Sequence, residues 1–302
     1  MQYATIPGVS TPSSRLILGV DNQQLPEHAA MFDRWFEAGG RSFDTGWIYG
    51  GGACQKLLGE WMEHTGVRDE VVIIDKVAHT PDCTPDAVVP QLHDCLERLH
   101  SDHIDLLLLH RDNVDVPAGE FVSVLEECRQ TGLISAYGGS NWTTSRVEEA
   151  NAFAEGVGAP PFAAISNNLS LARMVEVVWA GCQTMSEADR TWASQTQTAV
   201  LPWSSQGRGF FTELAGPTKT DNEELVRVWY REDNFTRKER AARLAAERGV
   251  AEINIALAWV LAQPFPTFPL IGPRTAGELA SSLVALDVEL SSAEVVWLDL
   301  CA

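Results

Sequence analysis

Positive charge is scarce in this chain: 22 lysines and arginines face 41 aspartates and glutamates across 302 residues, a formal charge of −19. A basic footprint for nucleic acid or for an anionic membrane surface is therefore absent. An anionic ligand would need a local arginine or a helix N-terminus against that background. The six cysteines are scattered singly with no C-x-x-C pair, the usage of a protein whose thiols stay reduced. The N-terminus, Met-Gln-Tyr-Ala-Thr, has neither the charged nor the apolar region of a signal peptide. No apolar run approaches the roughly 20 residues that a membrane span requires. These absences predict a soluble, cytoplasmic protein that binds no nucleic acid and no membrane. Linkers, internal repeats and low-complexity tracts are missing as well, so residues 1–302 read as one domain.

What the chain has instead is alternation. Residues 1–14, rich in Pro, Ser and Thr, read as a capping hairpin or loop. Eight short apolar runs follow, at 15–19, 41–44, 71–76, 104–110, 133–137, 163–166, 199–201 and 266–271. Segments with helical spacing separate them, at 26–38, 53–65, 85–99, 118–131, 145–155, 187–196 and 237–247, the last followed by 253–262. The run at 104–110 is almost wholly apolar, the mark of a strand covered on both faces. The longest irregular stretch, 202–234, holds one short helix at 223–230. Two more helices close the chain, at 275–286 and 291–300, the second opened by the capping box Ser291-Ser292-Ala293-Glu294. Eight β-then-α units predict an α/β fold: a (β/α)8 TIM barrel with an N-terminal hairpin or loop cap, a long loop after strand 7 and a C-terminal helix. The alternative, a doubly wound open sheet, usually carries a Gly-rich turn after its first strand, whereas Gly19 leads into Val20-Asp21-Asn22.

Chemistry in such a barrel sits at the C-terminal ends of the strands. Three neighbouring ends are ionisable: Asp44, Lys76 and His110, about one βα unit apart, with Tyr49 on the loop leaving the first. Each alone has an ordinary structural use, as a helix cap, a solvated strand end, a core hydrogen-bonder or a packed ring. Their arrival on one rim in adjacent units favours chemistry. A phenol of ordinary pKa, about 10, is a poor acid near neutrality. A nearby lysine ammonium lowers that value, and a carboxylate keeps the lysine charged and in place. A neutral histidine donates a hydrogen bond to a carbonyl oxygen and aims it at the tyrosine. General-acid help of this kind contributes about 10²–10⁴ in rate. There is no nucleophile elbow, and His93, His100 and His103 do not share a helical face that would hold a metal.

With their neighbours, these residues resemble the aldo-keto reductases over nearly the whole chain. The resemblance runs through Phe43-Asp44-Thr45-x-x-x-Tyr49-Gly50, the strand end at Lys76, and Ile104-Asp105-Leu106-Leu107-Leu108-Leu109-His110-Arg111. It continues through Gly139-Ser140-Asn141, Leu201-Pro202-Trp203-Ser204-Ser205-Gln206-Gly207-Arg208-Gly209 and Ile271-Gly272-Pro273-Arg274. It implies an NADP-dependent oxidoreductase that moves a hydride between the nicotinamide of NADPH and an aldehyde or ketone, in either direction. Tyr49 is then the acid, His110 orients the carbonyl, and Lys76 with Asp44 tunes Tyr49. For the cofactor it implies Ser140 and Asn141 on the carboxamide and Trp203 stacked on the nicotinamide. Ser204, Gln206, Gly207 and Arg208 fall at the pyrophosphate, and Gly19, Asp44, Ile271 and Gly272 join the cofactor surface. Arg274, just before a helix, suits the adenosine 2′-phosphate.

Three departures qualify the match. Ser166 replaces the family's glutamine near the carboxamide. Glu278 and Ser282 stand where a basic or amide residue and an asparagine are frequent, and Gly46 replaces an alanine. An acid at 278 accepts from the adenine amine but disfavours a 2′-phosphate, so Arg274 carries the expectation of NADP over NAD. The substrate pocket is expected from Trp47, His79, Arg111, Asp112, Trp142 and the 202–234 excursion. Two tryptophans beside a polar cluster suit a sugar-like or cyclitol-like carbonyl compound; alternatively Arg111 and Asp112 pair with each other to hold the loop. Two other functions compete. One is a cofactor-binding regulatory or scaffold subunit with little turnover. The other is a Schiff-base lyase or isomerase, which needs Lys76 uncharged, against the expectation from Asp44.

Overall fold

The computed structural model describes residues 1–301. Strands β1 (Tyr3–Ala4) and β2 (Ser13–Ser14) form an antiparallel hairpin. Eight parallel strands follow: β3 (Ile17–Gly19), β4 (Ser42–Asp44), β5 (Val72–Val77), β6 (Ile104–Leu109), β7 (Ile134–Ser140), β8 (Ala164–Ser166), β9 (Ala199–Val200) and β10 (Leu270–Ile271). From β3 to β9 sequence neighbours are sheet neighbours, and β10 lies beside β3. Between β9 and β10 the ring is joined by a parallel bridge from Val200 to Thr267. There Val200 N–H donates to Pro266 O and Phe268 N–H to Val200 O, each at 2.8 Å. The result is the (β/α)8 barrel that the alternation implied.

The outer layer comprises α1 (Ala29–Glu37), α2 (Ala53–Thr65), α3 (Pro85–Leu99), α4 (Ala118–Gln130), α5 (Thr144–Val157), α6 (Glu187–Thr196), α7 (Glu223–Trp229), α8 (Glu232–Arg248), α9 (Glu252–Leu261), α10 (Ala276–Val284) and α11 (Ser292–Leu298). The capping box at Ser291 and Glu294 forms as its sequence requires, with Ser291 Oγ accepting from Glu294 N–H. No helix among the described residues is long and apolar enough to cross a membrane.

Strand parity decides what faces the barrel interior, because successive side chains alternate in direction. On β5, Val72 and Ile74 join an inner core with Ile17, Leu106, Leu108 and Phe268, while Ile73 and Val77 pack outward against the helices. Continuing the count places Lys76 inward, and the same parity does so for His110 after Leu106 and Leu108. The hairpin covers the opposite end. Its turn buries Ile6 and Val9 in the inner core, and Ser13 Oγ lies 2.7 Å from Ser42 Oγ at the base of β4.

Two boundaries differ from the sequence reading for physical reasons. The strand at 133–137 runs on through Gly138 and Gly139 to Ser140. A Cβ on Gly138 would lie 2.0 Å from Ala164 O, and one on Gly139 2.8 Å from Trp142 Cγ, so the glycines permit close strand approach rather than ending the strand. The helix expected at 237–247 starts at Glu232, which shortens the irregular stretch; Glu232 and Asp233 in its first turn favour the helix dipole.

Candidate active site

Four side chains meet at the C-terminal rim. Lys76 Nζ lies 2.6 Å from both carboxylate oxygens of Asp44, 3.0 Å from Thr45 O and 3.4 Å from Tyr49 Oη. Asp44 and Lys76 are each 2% exposed. Tyr49 and His110 face each other edge to face, with ring centroids 5.5 Å apart. Gly46 makes this approach easier: an added Cβ would lie 3.3 Å from the Tyr49 ring and 3.4 Å from His110 Cε1.

Electrostatics follow from burial opposed by pairing. Burial raises Asp44, and Lys76 pulls it back. Burial lowers Lys76, but Asp44 and Tyr49 outweigh it and leave the ammonium favoured. Burial pushes the Tyr49 phenol up to about 12; Lys76 pulls it down, and Asp44 and Asp21 add to the rise. The net direction is opposite to the lowering expected from sequence, because desolvation exceeds the lysine's effect. His110 is held well below its ordinary value by burial, then by Lys76, His79 and Arg111, so its ring is neutral near pH 7. Its Nδ1 is buried without a partner. The tautomer protonated on Nε2 leaves only a lone pair unsatisfied there.

The Tyr49 loop is clamped from behind. Trp47 N–H donates to Lys76 O at 2.8 Å, and Trp47 Nε1 to Asp94 at 2.9 Å. Arg98 of α3 donates to Trp47 O and to Gln55 Oε1, both at 3.0 Å. Gln55 in turn donates to Asp75 at 2.7 Å, and the other Asp75 oxygen accepts the Lys76 N–H at 2.7 Å. Parity turns Asp75 outward while Lys76 points inward, so one strand serves both the site and its support. Asp75 is fully buried, and burial raises it to about 6.

Around this centre the remaining residues divide. Ser140 and Ser166 are register partners, and Ser140 Oγ donates to Ser166 O at 3.0 Å. Asn141 donates to Ser140 Oγ at 3.1 Å and accepts from Gln183 N–H at 3.1 Å. Ser166 Oγ is turned to Leu201 O at 2.8 Å. Trp203 is half-buried, and its ring packs on Trp179 at 5.8 Å. Ser204, Gly207, Arg208 and Gly209 all have positive φ, from 50 to 92°. Gln206 reaches the buried Ser282 at 3.2 Å, and Arg208 Nε donates to Glu224 at 2.6 Å. Gly19 is the register partner of Asp44. Ile271 is buried toward the helices and leaves only its backbone for a ligand, and Gly272 O accepts from Asn22 at 3.0 Å. Arg274 is exposed, with Nε 3.4 Å from Asn22 Oδ1, while its N–H donates to the Glu278 carboxylate at 2.6 Å.

Three expectations about the mouth are corrected. Trp142 has no exposed surface; it packs on Phe121 and Phe162 and donates to Arg111 O at 3.1 Å, so it is no pocket wall. Asp112 is held by Arg146 at 3.1 Å, away from the mouth. It therefore does not pair with Arg111, and the two-tryptophan basis for a sugar-like substrate is gone. His79 remains beside His110, with ring centroids 4.7 Å apart, and Trp47 stays half-buried against α3. The residue missed by sequence is Trp179, 48% exposed next to Trp203 and under the Arg208 guanidinium at 5.2 Å. It lies in the loop 167–186. The signal available was length, since structureless loops of more than about 12–15 residues are usually functional.

Residues 16–302 match the model of the Aldo/keto reductase family. The chain is similar to an uncharacterised oxidoreductase of Bacillus subtilis, 27% identical over 96% of this chain and 92% of that protein. It is similar to an aryl-alcohol dehydrogenase [NADP(+)] of Phanerodontia chrysosporium, 25% identical over 89% of this chain and 74% of its own length. Among solved structures, a glycerol dehydrogenase from Gluconobacter oxydans superposes with a TM-score of 0.78 at 22% identity, covering 98% of this chain and 94% of that one. That likeness speaks to the fold.

Proposed function

The chain belongs to the aldo-keto reductase family of oxidoreductases, and from that premise we propose that it reduces an aldehyde or ketone, or oxidises the alcohol, with NAD(P) and with Tyr49 as proton donor. The observation that carries this reading is the buried Asp44–Lys76 pair with Tyr49 Oη 3.4 Å from the ammonium and the Tyr49 ring edge-to-face with neutral His110. A phenol pushed to about 12 is fully protonated at neutral pH but a weak acid at rest, so its proton moves only as charge develops on the acceptor oxygen. As a carbonyl oxygen gains charge, the fixed ammonium stabilises the phenolate left behind, with no reorganisation at the moment of transfer. His110, neutral and protonated on Nε2, donates to the same oxygen. The hydride itself comes from the nicotinamide.

The residues fit such a dinucleotide. Ser204, Gly207, Arg208 and Gly209 hold positive φ in a tight turn after Trp203, which brings Ser204, Gln206 and Arg208 into one short segment that could meet an anionic pyrophosphate. Trp203 is half-buried and so keeps part of its ring accessible, and Ser140 at the end of β7 with Asn141 after it offers hydroxyl and amide groups for a carboxamide. At the adenosine end the signals conflict. Arg274 supports NADP, as does the relative named for it, whereas the Glu278 carboxylate already takes the Arg274 N–H at the start of α10. NADPH is the cofactor we propose, with NADH accepted.

Nicotinamide absorbance with a panel of aromatic and aliphatic aldehydes tests the reading. Tyr49→Phe should lose about 10²–10⁴ in kcat. Undiminished turnover in that variant sinks the assignment of the acid. Tight cofactor binding with no turnover of any carbonyl would favour a regulatory subunit instead.

A further inference from the structure

Buried arginines are almost always tied down, because an unpaired guanidinium out of water is costly. Arg237, 6% exposed, obeys the rule: it bonds Asn234, Asp233 and the Asp299 carbonyl. Arg111, 8% exposed, does not. Its backbone is fixed, with its carbonyl accepting from Trp142 Nε1 and Cys83 Sγ, both at 3.1 Å. Among the described residues its guanidinium makes no hydrogen bond to an oxygen and no ion pair, and the one side chain it acts on as a donor is the Cys182 thiol. The obvious partner, Asp112, is taken by Arg146.

The place of this guanidinium is the mouth. It follows His110 directly in sequence and depresses both His110 and His79 electrostatically, in each case behind burial. A methyl on Gly181 would lie 4.0 Å from Arg111 Cδ, so the loop 167–186 passes over its stem. Its polar companion there is the Cys182 thiol, which burial raises and Arg111 pulls back. Lys76, the other buried cation of the rim, is neutralised by Asp44. In a chain of charge −19, a free positive group beside the reacting carbonyl is a selective feature.

We propose that Arg111 receives an anionic group of the substrate, so that the preferred carbonyl compounds carry a carboxylate or a phosphate. The turnover part of this proposal rests on the oxidoreductase reading; the anion site itself does not. Three matched pairs test it: 4-carboxybenzaldehyde against benzaldehyde, succinic semialdehyde against butanal, and glyceraldehyde 3-phosphate against glyceraldehyde. The wild-type kcat/KM should favour at least one anionic class by roughly tenfold or more, the scale of a charge-assisted hydrogen bond. Which pair shows it separates carboxylate from phosphate. R111M should collapse that ratio, and R111K should restore part of it. Benzoate titrated calorimetrically should bind wild type roughly tenfold more tightly than R111M, with no such difference for benzyl alcohol. Arg111-dependent benzoate binding without carbonyl reduction would keep the anion site and discard the oxidoreductase reading. A wild-type enzyme that turns over the charged and neutral members alike, and binds benzoate no better than R111M does, overturns the proposal. The wild-type ratio decides even if R111M does not fold.

Discussion

Replacing Lys76 by methionine keeps the length of the side chain and deletes its charge. The Asp44 carboxylate, 2% exposed, is then left without the cation that now meets both its oxygens at 2.6 Å. Breaking a buried pair from one side costs about 3–5 kcal/mol. With an unfolding entropy of about 0.6 kcal/mol/K for a chain of this length, that is a loss of about 5–8 °C in melting temperature. The cost also depends on pH. Burial already raises Asp44, and Lys76 is what opposes it, so the variant's folded-state pKa rises further above the unfolded value. A raised folded pKa means the folded state holds the proton better. The penalty is therefore absent below the unfolded value, about 4, and grows as pH rises through the folded one. Melting of wild type, K76M and the double variant D44N/K76M from pH 4 to pH 8 measures this. The double variant should recover much of the loss, because no bare carboxylate remains. A K76M variant within about 0.5 kcal/mol of wild type at pH 7, or a gap that does not change with pH, would refute the account of the pair.

Asp75 should behave in the same direction without any mutation of the site. Raised to about 6 from an ordinary value near 4, it should cost wild type up to about 3 kcal/mol relative to D75N as pH climbs from 4 to 7, read from urea unfolding of both proteins. R98M should lose about 1–3 kcal/mol in the same assay, since the Trp47 carbonyl and Gln55 Oε1 lose their donor, and its kcat should fall more than its KM rises. E278Q should tighten NADPH binding several-fold and leave NADH nearly unmoved, by quenching of tryptophan fluorescence; equal changes for both cofactors would mean that Glu278 does not face the 2′-phosphate.

The alternation of short apolar runs and helical segments was legible because a parallel barrel is locally consistent at every unit. The helices at 53–65, 85–99 and 187–196 have the bounds their patterns predicted, and Asp44, Lys76 and His110 reach the same rim because strand parity is a local property. What the sequence concealed depends on contacts between distant segments. Gly138 and Gly139 look like a stop until Ala164 and Trp142 are seen against them. Trp142 looks like a pocket wall until the loop beyond Asn141, itself at positive φ, turns the ring under Arg111 and into the core. Arg111 and Asp112 look like a pair until Arg146, 34 residues on, claims the acid. The net direction of the Tyr49 shift was hidden for a similar reason, because desolvation depends on everything packed around the ring.

The hairpin that buries Ile6 and Val9 gives the barrel a blind end. The packed interior leaves ligands a single rim to share, and that sharing imposes a queue: whatever lies beneath must arrive earlier and depart later. A nicotinamide on Trp203, with the carbonyl above it between Tyr49 and His110, would make the dinucleotide first in and last out. Alcohol released at the rim would then leave before the spent cofactor, and the pace of the whole cycle would be set by how readily loop 167–186 lets that last occupant go.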